Sequence, residues 1–229
     1  GVSPSSTVLV EEWVAGLHID ESGFIAGGTF FPAGILDRFF TSPPSCLPAH
    51  GTQPPKTVSA EQLNLIYTTL WEAALCLGIY DGPIKGDFIL VDGKPCIIEI
   101  TPRFHGDIST SHVAARAYGQ SPVACWFDWV IRKRKPTCSY SLDHLCVAGW
   151  RAIVAPSLGS VRSIDLSGCN DIDHSHKQAI YLHRHVGFVV PSVTDNRAVI
   201  GFVTAEAENH DKLGEKLSEM VDAIRIEMS

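Results

Sequence analysis

Two short runs carry the residues best suited to chemistry, Lys85-Gly86-Asp87 and Glu99-Ile100-Thr101-Pro102-Arg103, with an Asp92-Gly93 turn signal between them. Carboxylates at 87 and 99, once brought together, repel each other unless a cation sits between them. Magnesium takes oxygen ligands and binds through one or two carboxylates together with substrate phosphates. Arg103, just past the second run, would add a fixed cation beside those phosphates. The same pattern also describes an amphipathic hairpin with an acidic, solvated face. On the pattern alone both readings stand.

The strands must decide where these side chains point. Side chains alternate across a strand, so Ile84, Gly86, Phe88 and Leu90 share one face and Lys85 and Asp87 the other. On the second strand Cys96, Ile98 and Ile100 oppose Glu99 and Thr101. The apolar faces must coincide, because a one-residue slip would expose one of them. That predicts a three-residue loop, Val91-Asp92-Gly93, which brings Lys85, Asp87, Glu99 and Thr101 to one side; a two-residue loop would separate Asp87 from Glu99.

Upstream, Val8–Gly16 reads as a strand, Leu17–Glu21 as its continuation, Glu21-Ser22-Gly23 as a turn, and Phe24–Phe31 and Gly34–Phe40 as further extended segments. Residues 41–57, with five prolines, read as a long loop. Ser59 and Gln62 form a capping box for a helix whose apolar face is Leu63, Ile66, Tyr67, Leu70, Ala74 and Leu77, with Gly78 as its stop. Helices are expected over 108–118 and 122–133. Beyond 145 the chain reads as short strands (145–154, 160–164, 178–183, 187–190 and 198–203), closed by a helix on which Leu213, Leu217, Met220 and Ile224 recur.

The hairpin resembles the metal-binding hairpin of the ATP-grasp superfamily, in which an acid on one strand precedes a Glu-x-Asn-Pro-Arg run on the next. Asp87 matches the first acid and Glu99–Arg103 the run, with threonine in place of asparagine. Gly82–Asp87 is similar to the family's Gly-Pro-x-His-x-Glu, and Arg103-Phe104-His105-Gly106-Asp107 to its Arg followed by Gly-Gly-Asp. Val10–Gly16 resembles its hinge strand, Glu-Glu-aromatic-x-x-Gly.

The best fit within the superfamily is the L-amino-acid ligase type, a carboxylate–amine ligase that uses ATP and an acyl-phosphate intermediate. The resemblance implies an α+β fold. In it an ATP-grasp C-terminal lobe, with a mostly antiparallel sheet and flanking helices, spans 1–134, a linker 135–144, and a small β-rich cap domain 145–229. It implies adenine contacts at Glu11, Glu12, Trp13 and Val14, a ribose contact at His18, and metal ligands (Mg2+ or Mn2+) at Asp87, Glu99 and Thr101. It also implies catalytic roles for Arg103 and Lys85 and substrate contacts at His50, Gly106 and Asp107. The Pro48-Ala49-His50-Gly51 stretch lacks the family's glutamate. The family's other lobe, which brings lysines and a glycine-rich loop to the phosphates, is expected from preceding sequence or a partner chain. Two alternatives stay open: a non-catalytic nucleotide-binding or scaffold module, and a biotin-carboxylase-like enzyme.

Composition excludes several classes. The 229 residues are 45% hydrophobic and 19% charged with a formal net charge of -7, an ordinary globular balance. The one basic cluster, Arg132–Lys135, suits a helix C-terminus rather than nucleic acid. No apolar run is long enough for a membrane helix, and the N-terminus lacks a signal-peptide layout. The seven cysteines are scattered without a CxxC pair and several, within apolar runs, read as buried thiols, so a cytoplasmic home is expected. His174, His176, His183 and His185 offer i, i+2 pairs that could chelate a transition metal, or simply line strands. Small-molecule carboxylate and amine substrates are the expected partners. A homodimer is the commonest closed assembly.

Overall fold

A computed structural model describes residues 5–43, 45–137, 143–169 and 178–229. The elements run β1 (Leu17–Ala26), β2 (Thr29–Phe40), β3 (Pro48–Gln53), α1 (Ala60–Cys76), β4 (Gly82–Val91) and β5 (Lys94–Thr101). A π-helical turn (Ser109–Val113) then leads into α2 (Ala114–Tyr118) and α3 (Pro122–Arg132). The remainder is β6 (Val147–Val154), β7 (Gly159–Asp165), β8 (Gln178–Leu182), β9 (Val189–Val190), β10 (Val199–Ala207), α4 (His210–Asp222) and β11 (Arg225–Met228).

Among the described residues, eight strands form one antiparallel sheet in the order β5-β4-β1-β2-β3-β6-β10-β8, and β11, β7 and β9 form a smaller one. The large sheet includes strands from before residue 135 and after residue 144, because β6 pairs with β3 through His50↔Arg151 and Gly51↔Trp150. Its two faces carry different cores. On one face Ile19, Ile35, Ile84 and Phe88 pack under Leu63, Ile66 and Leu70 of α1, and farther along the sheet Val147, Ile153 and Val203 pack under Leu213, Leu217 and Met220 of α4. On the other face lie Leu36, Trp150 and Ala152 against Val113 and Ala117, and Phe24 and Phe31 against Trp126 and Trp129.

Several expectations hold. Ser59 and Gln62 form both halves of the capping box, with bonds of 3.2 and 2.8 Å. Gly78 follows α1 in the left-handed region at φ 76°. Leu77, expected on the buried face, is exposed. The basic cluster begins in the last turn of α3, and Lys133 caps it in a left-handed conformation.

Other expectations are corrected. Val8–Gly16 is not a strand: it has no regular structure, and Val8, Leu9, Val10 and Trp13 are exposed. The reversal between β1 and β2 falls at Gly27 and Gly28, both at positive φ, and not at Glu21-Ser22-Gly23. The latter lies inside β1, which pairs in regular register with β4 there, and the bulge opposite it puts the extra residue in β2, at Ala33-Gly34. The proline-rich loop contains β3, whose pairing with β2 and β6 closes the sheet. Of the cysteines, Cys169 is buried, Cys46 and Cys76 are exposed, and Cys125 is disulfide-bonded. Among the described residues no helix is long and apolar enough to cross a membrane.

Candidate functional site

The β4–β5 hairpin brings Asp87 and Glu99 directly opposite each other, with Lys85 opposite Thr101. The route differs from the expected three-residue loop. Val91 pairs with Lys94, so the loop is the two residues Asp92 and Gly93, both at positive φ (50° and 77°). That is the conformation in which Asp-Gly makes a tight hairpin. Alone it would set Asp87 and Glu99 on opposite faces. A bulge restores them: Phe88 pairs with Ile97 but Asp87 with Glu99, leaving Ile98 as the extra residue. The displaced Ile98 is 47% exposed and lines the cavity in front of the sheet instead of joining the core as expected.

The sheet extends this face inward. Asp20 pairs with Asp87 across β1–β4 and with Leu36 across β1–β2, so Asp20, Asp87 and Arg38 share the face. Arg38 is the hub. Its Nη1 donates to Asp20 Oδ2 at 2.6 Å and to Asp107 Oδ2, and its guanidinium lies 5.0 Å from the Trp150 ring centre and 5.6 Å from that of Phe40. Asp107 also accepts from the Ser109 N–H at 2.8 Å. Burial would raise the Asp107 carboxyl, but Arg38, His105 and the Ser109 donor outweigh it and hold it below the usual range. Asp20 lacks that extra donor, and burial pushes it up to about 6 against the pull of His105 and Arg38. The two carboxylates thus divide their roles: Asp107 stays ionised and Asp20 takes up a proton first. His105 lies between the acids, with Nδ1 3.8 Å from Asp20 Oδ2 and Nε2 3.8 Å from Asp87 Oδ1, and its Nε2 meets the Glu21 carbonyl at 3.1 Å.

One cavity opens on this face, and a second adjoins it at the ends of β1 and β2. The first, about 700 Å3, is lined by Asp20, Arg38, Lys85, Asp87, Glu99 and Arg103 and also by Tyr181, Leu182, His183, Asn196, Val199 and Phe202. The second, about 470 Å3 and mostly apolar, is lined by Trp13, Gly16, Leu17, Phe39 and Pro43. His18, Arg38 and Phe40 border both. The His18 ring stands edge-on to Phe40 at 5.0 Å. Burial first, and Arg38 second, hold its imidazole below its ordinary value, with Asp87 opposing. Glycine is required at 16, because a Cβ there would run into the Leu90 carbonyl.

The residues expected from sequence fall into four groups. Lys85, Asp87, Glu99, Arg103, Gly106, Asp107 and His18 all line the larger cavity. Thr101 donates to Glu99 Oε1 at 2.8 Å, so here it orients a carboxylate. Trp13 reaches the apolar cavity, while Glu11 and Glu12 are exposed and Val14 half-buried in the irregular segment. His50 is not brought to this site. It pairs with Phe39 and Arg151 on the opposite face of the sheet, stacks on the Phe39 ring at 4.3 Å, and lines a separate cavity of about 200 Å3. Of the four histidines, His174 and His176 lie outside the described residues. Among the described residues the group close enough to share an ion is Asp20, His105 and Asp107, and it includes neither His183 nor His185. Sequence reasoning missed Arg38, Asp20 and His105.

The same fold recurs in solved structures. An L-amino acid ligase from Bacillus licheniformis superposes with a TM-score of 0.77 at 16% identity, over 95% of this chain and 53% of the ligase. Phosphoribosylglycinamide synthetase from Anaerococcus prevotii gives 0.76 at 19% identity, over 95% and 55%. Biotin carboxylase from Campylobacter jejuni, solved with β-γ-ATP, gives 0.68 at 16%, over 95% and 48%. The chain carries an ATP-grasp fold. It spans about half the length of these ATP-grasp enzymes. At such identities the likeness shows the ATP-grasp fold alone. No family profile matches the sequence, and no curated protein matches it.

Proposed function

We propose that this chain is the nucleotide- and metal-binding part of an ATP-dependent carboxylate–amine ligase that forms an amide or peptide bond. The observation that supports it best is the pairing of an apolar slot with an ionic cavity across His18, Arg38 and Phe40. A flat base would lie in the slot lined by Leu17, Phe39 and Phe40, and a polyphosphate would then run toward Lys85, Arg103 and the carboxylates. In the domain division we propose, 1–134 forms this lobe and 145–229 a cap, with the other lobe supplied by further sequence or a partner chain.

The donor set fits a divalent ion. Asp87 Oδ1 is buried and has no hydrogen-bond partner, and Glu99 stands beside it in register. Magnesium, when bound, neutralises phosphate charge and orients the transferring group. Asp87 and Glu99 would hold it, with Thr101 fixing the Glu99 carboxylate. Phosphoryl transfer needs positioning and charge compensation more than covalent help from the protein. The substrate carboxylate oxygen bonds to the γ-phosphorus as the bond to ADP breaks, and Arg103 neutralises the equatorial oxygens. An amine nitrogen then bonds to the acyl carbon, phosphate leaves with the C–O electron pair, and the amine gives up a proton. Arg103 also faces the oxyanion formed in that step. The lining residues Tyr181, Leu182, Val199 and Phe202 suit a substrate with an apolar side chain.

Hydroxylamine trapping tests the reaction class. In the intact enzyme this reading calls for, ATP, Mg2+ and an amino acid with hydroxylamine should yield a hydroxamate and ADP. Apolar amino acids should react faster than acidic ones. ADP release without hydroxamate from any carboxylate tried would contradict the ligase reading.

A further inference from the structure

The two carboxylates proposed for the metal already hold a cation. Lys85 Nζ lies 2.6 Å from Asp87 Oδ2 and 2.6 Å from Glu99 Oε1. Its side chain is only 5% exposed, whereas Asp87 and Glu99 are 34% and 54% exposed toward the cavity. The geometry follows from the same bulge that pairs Asp87 with Glu99: Lys85 sits two residues before Asp87 on the same face and opposite Thr101, which donates to the same Glu99 oxygen. A magnesium ion would need oxygens from both acids at about 2.0–2.1 Å. That is the space the ammonium fills, and two cations cannot share it without strong repulsion.

We infer that Lys85 is a built-in competitor of the divalent ion, so that metal enters only when the Lys85 ammonium leaves Asp87 and Glu99. The inference rests on the metal reading above and adds to it a condition for loading. The side chain cannot leave freely. Its stem is buried in the sheet, and an ammonium released from two carboxylates needs another anion. Lys85 lines the same cavity as Arg103 and His18, where a polyphosphate would lie. A triphosphate would accept Lys85 there and free the two carboxylates for the metal. Metal and nucleotide therefore load together, each raising the other's affinity by the same factor, and the free metal binds weakly. Lys85 is a positioning residue in this scheme, since it acts on the metal through Asp87 and Glu99.

The test is titration of Mn2+ alone into the 229-residue chain, followed by electron paramagnetic resonance, with thermal unfolding measured in parallel. Wild type should bind Mn2+ weakly. Lys85→Met, which removes the ammonium but keeps the stem, should bind it at least tenfold more tightly, and Mn2+ should raise its unfolding temperature more than that of wild type. Lys85→Gln, a second variant in case the unpaired acids of Lys85→Met prevent folding, should behave in the same way. Lys85→Arg keeps a cation in place and should stay weak. Equal Mn2+ affinity in wild type and the neutral variants, with Mn2+ still binding in the presence of ATP, overturns the competition and leaves the metal reading intact. Absence of Mn2+ binding in every variant, with and without ATP, overturns both.

Discussion

Replacing Arg38 by methionine should cost about 3–5 kcal/mol of stability, because it leaves two buried carboxylates without their shared cation. Asp20 and Asp107 both lean on one guanidinium nitrogen, and each side chain is only 8% exposed. Water cannot take over the role of Arg38 at that depth. Protonation can, and this sets the sign of the pH dependence. Asp20 already has its folded value raised from 3.8 to about 6. Its contribution is therefore greatest below the ordinary carboxylate value and falls as pH rises through about 6. Asp107 is held low by Arg38 against its burial, so without the arginine it too would bind a proton more tightly when folded than when unfolded. The deficit of Arg38→Met should accordingly be smaller at pH 5 than at pH 8. Arg38→Lys keeps the charge but loses the planar guanidinium over Trp150, and should fall in between. Urea unfolding at the two pH values checks this. A midpoint equal to wild type at pH 8 would show that the guanidinium is not what compensates the acids.

The second large effect has the opposite sign. Glu21 neighbours Asp20 in β1 but faces the other way, sharing the side of Ile19 toward α1. It is fully buried, and neither carboxyl oxygen has a hydrogen-bond partner. Burial alone raises its carboxyl well above the ordinary 4.5. Glu21→Met should stabilise the chain by about 1–3 kcal/mol at pH 5, since an unsatisfied buried polar group gives way to an apolar one of similar length. The gain should grow at higher pH. Between 4.5 and its raised folded value, Glu21 ionises in the unfolded chain but not in the folded one, so each unit of rising pH costs wild type about 1.4 kcal/mol. The methionine variant lacks that slope. Parallel urea curves from pH 4.5 to 8 measure it, and identical pH slopes for the two proteins would mean that the Glu21 carboxyl finds a partner or water.

These two acids mark what the sequence could and could not reveal. Asp20 and Glu21 are consecutive charges in an apolar strand. Alternation says that they face opposite sides, but not which side holds Arg38 and which holds α1. Arg38 itself sits in Leu36-Asp37-Arg38-Phe39-Phe40 with no spacing to flag it. Its role emerges only when Asp107, sixty-nine residues away, is folded against it. The capping box at Ser59 and the apolar stripe on α1 were legible because their partners lie within one or two turns. The hairpin was legible in outcome but not in route. The apolar pattern demanded that Asp87 and Glu99 share a face, and the chain meets that demand with a tight Asp-Gly turn and a bulge at Ile98 instead of a wider loop. His50 misled because a strand was hidden in the proline-rich stretch, and β3 turns that residue toward Arg151. The segment before β1 has the composition of a strand, but among the described residues no strand pairs with it.

Calorimetric titration of Mg-ATP into this chain, compared with Asp87→Asn and Glu99→Gln, addresses the nucleotide site most directly. Wild type should bind Mg-ATP, each substitution should weaken binding at least tenfold, and unfolding temperatures without ligand should stay within a few degrees of wild type. Binding that is unchanged when both carboxylates are neutralised would place the metal and the triphosphate elsewhere, and the account given for this face of the sheet would be wrong.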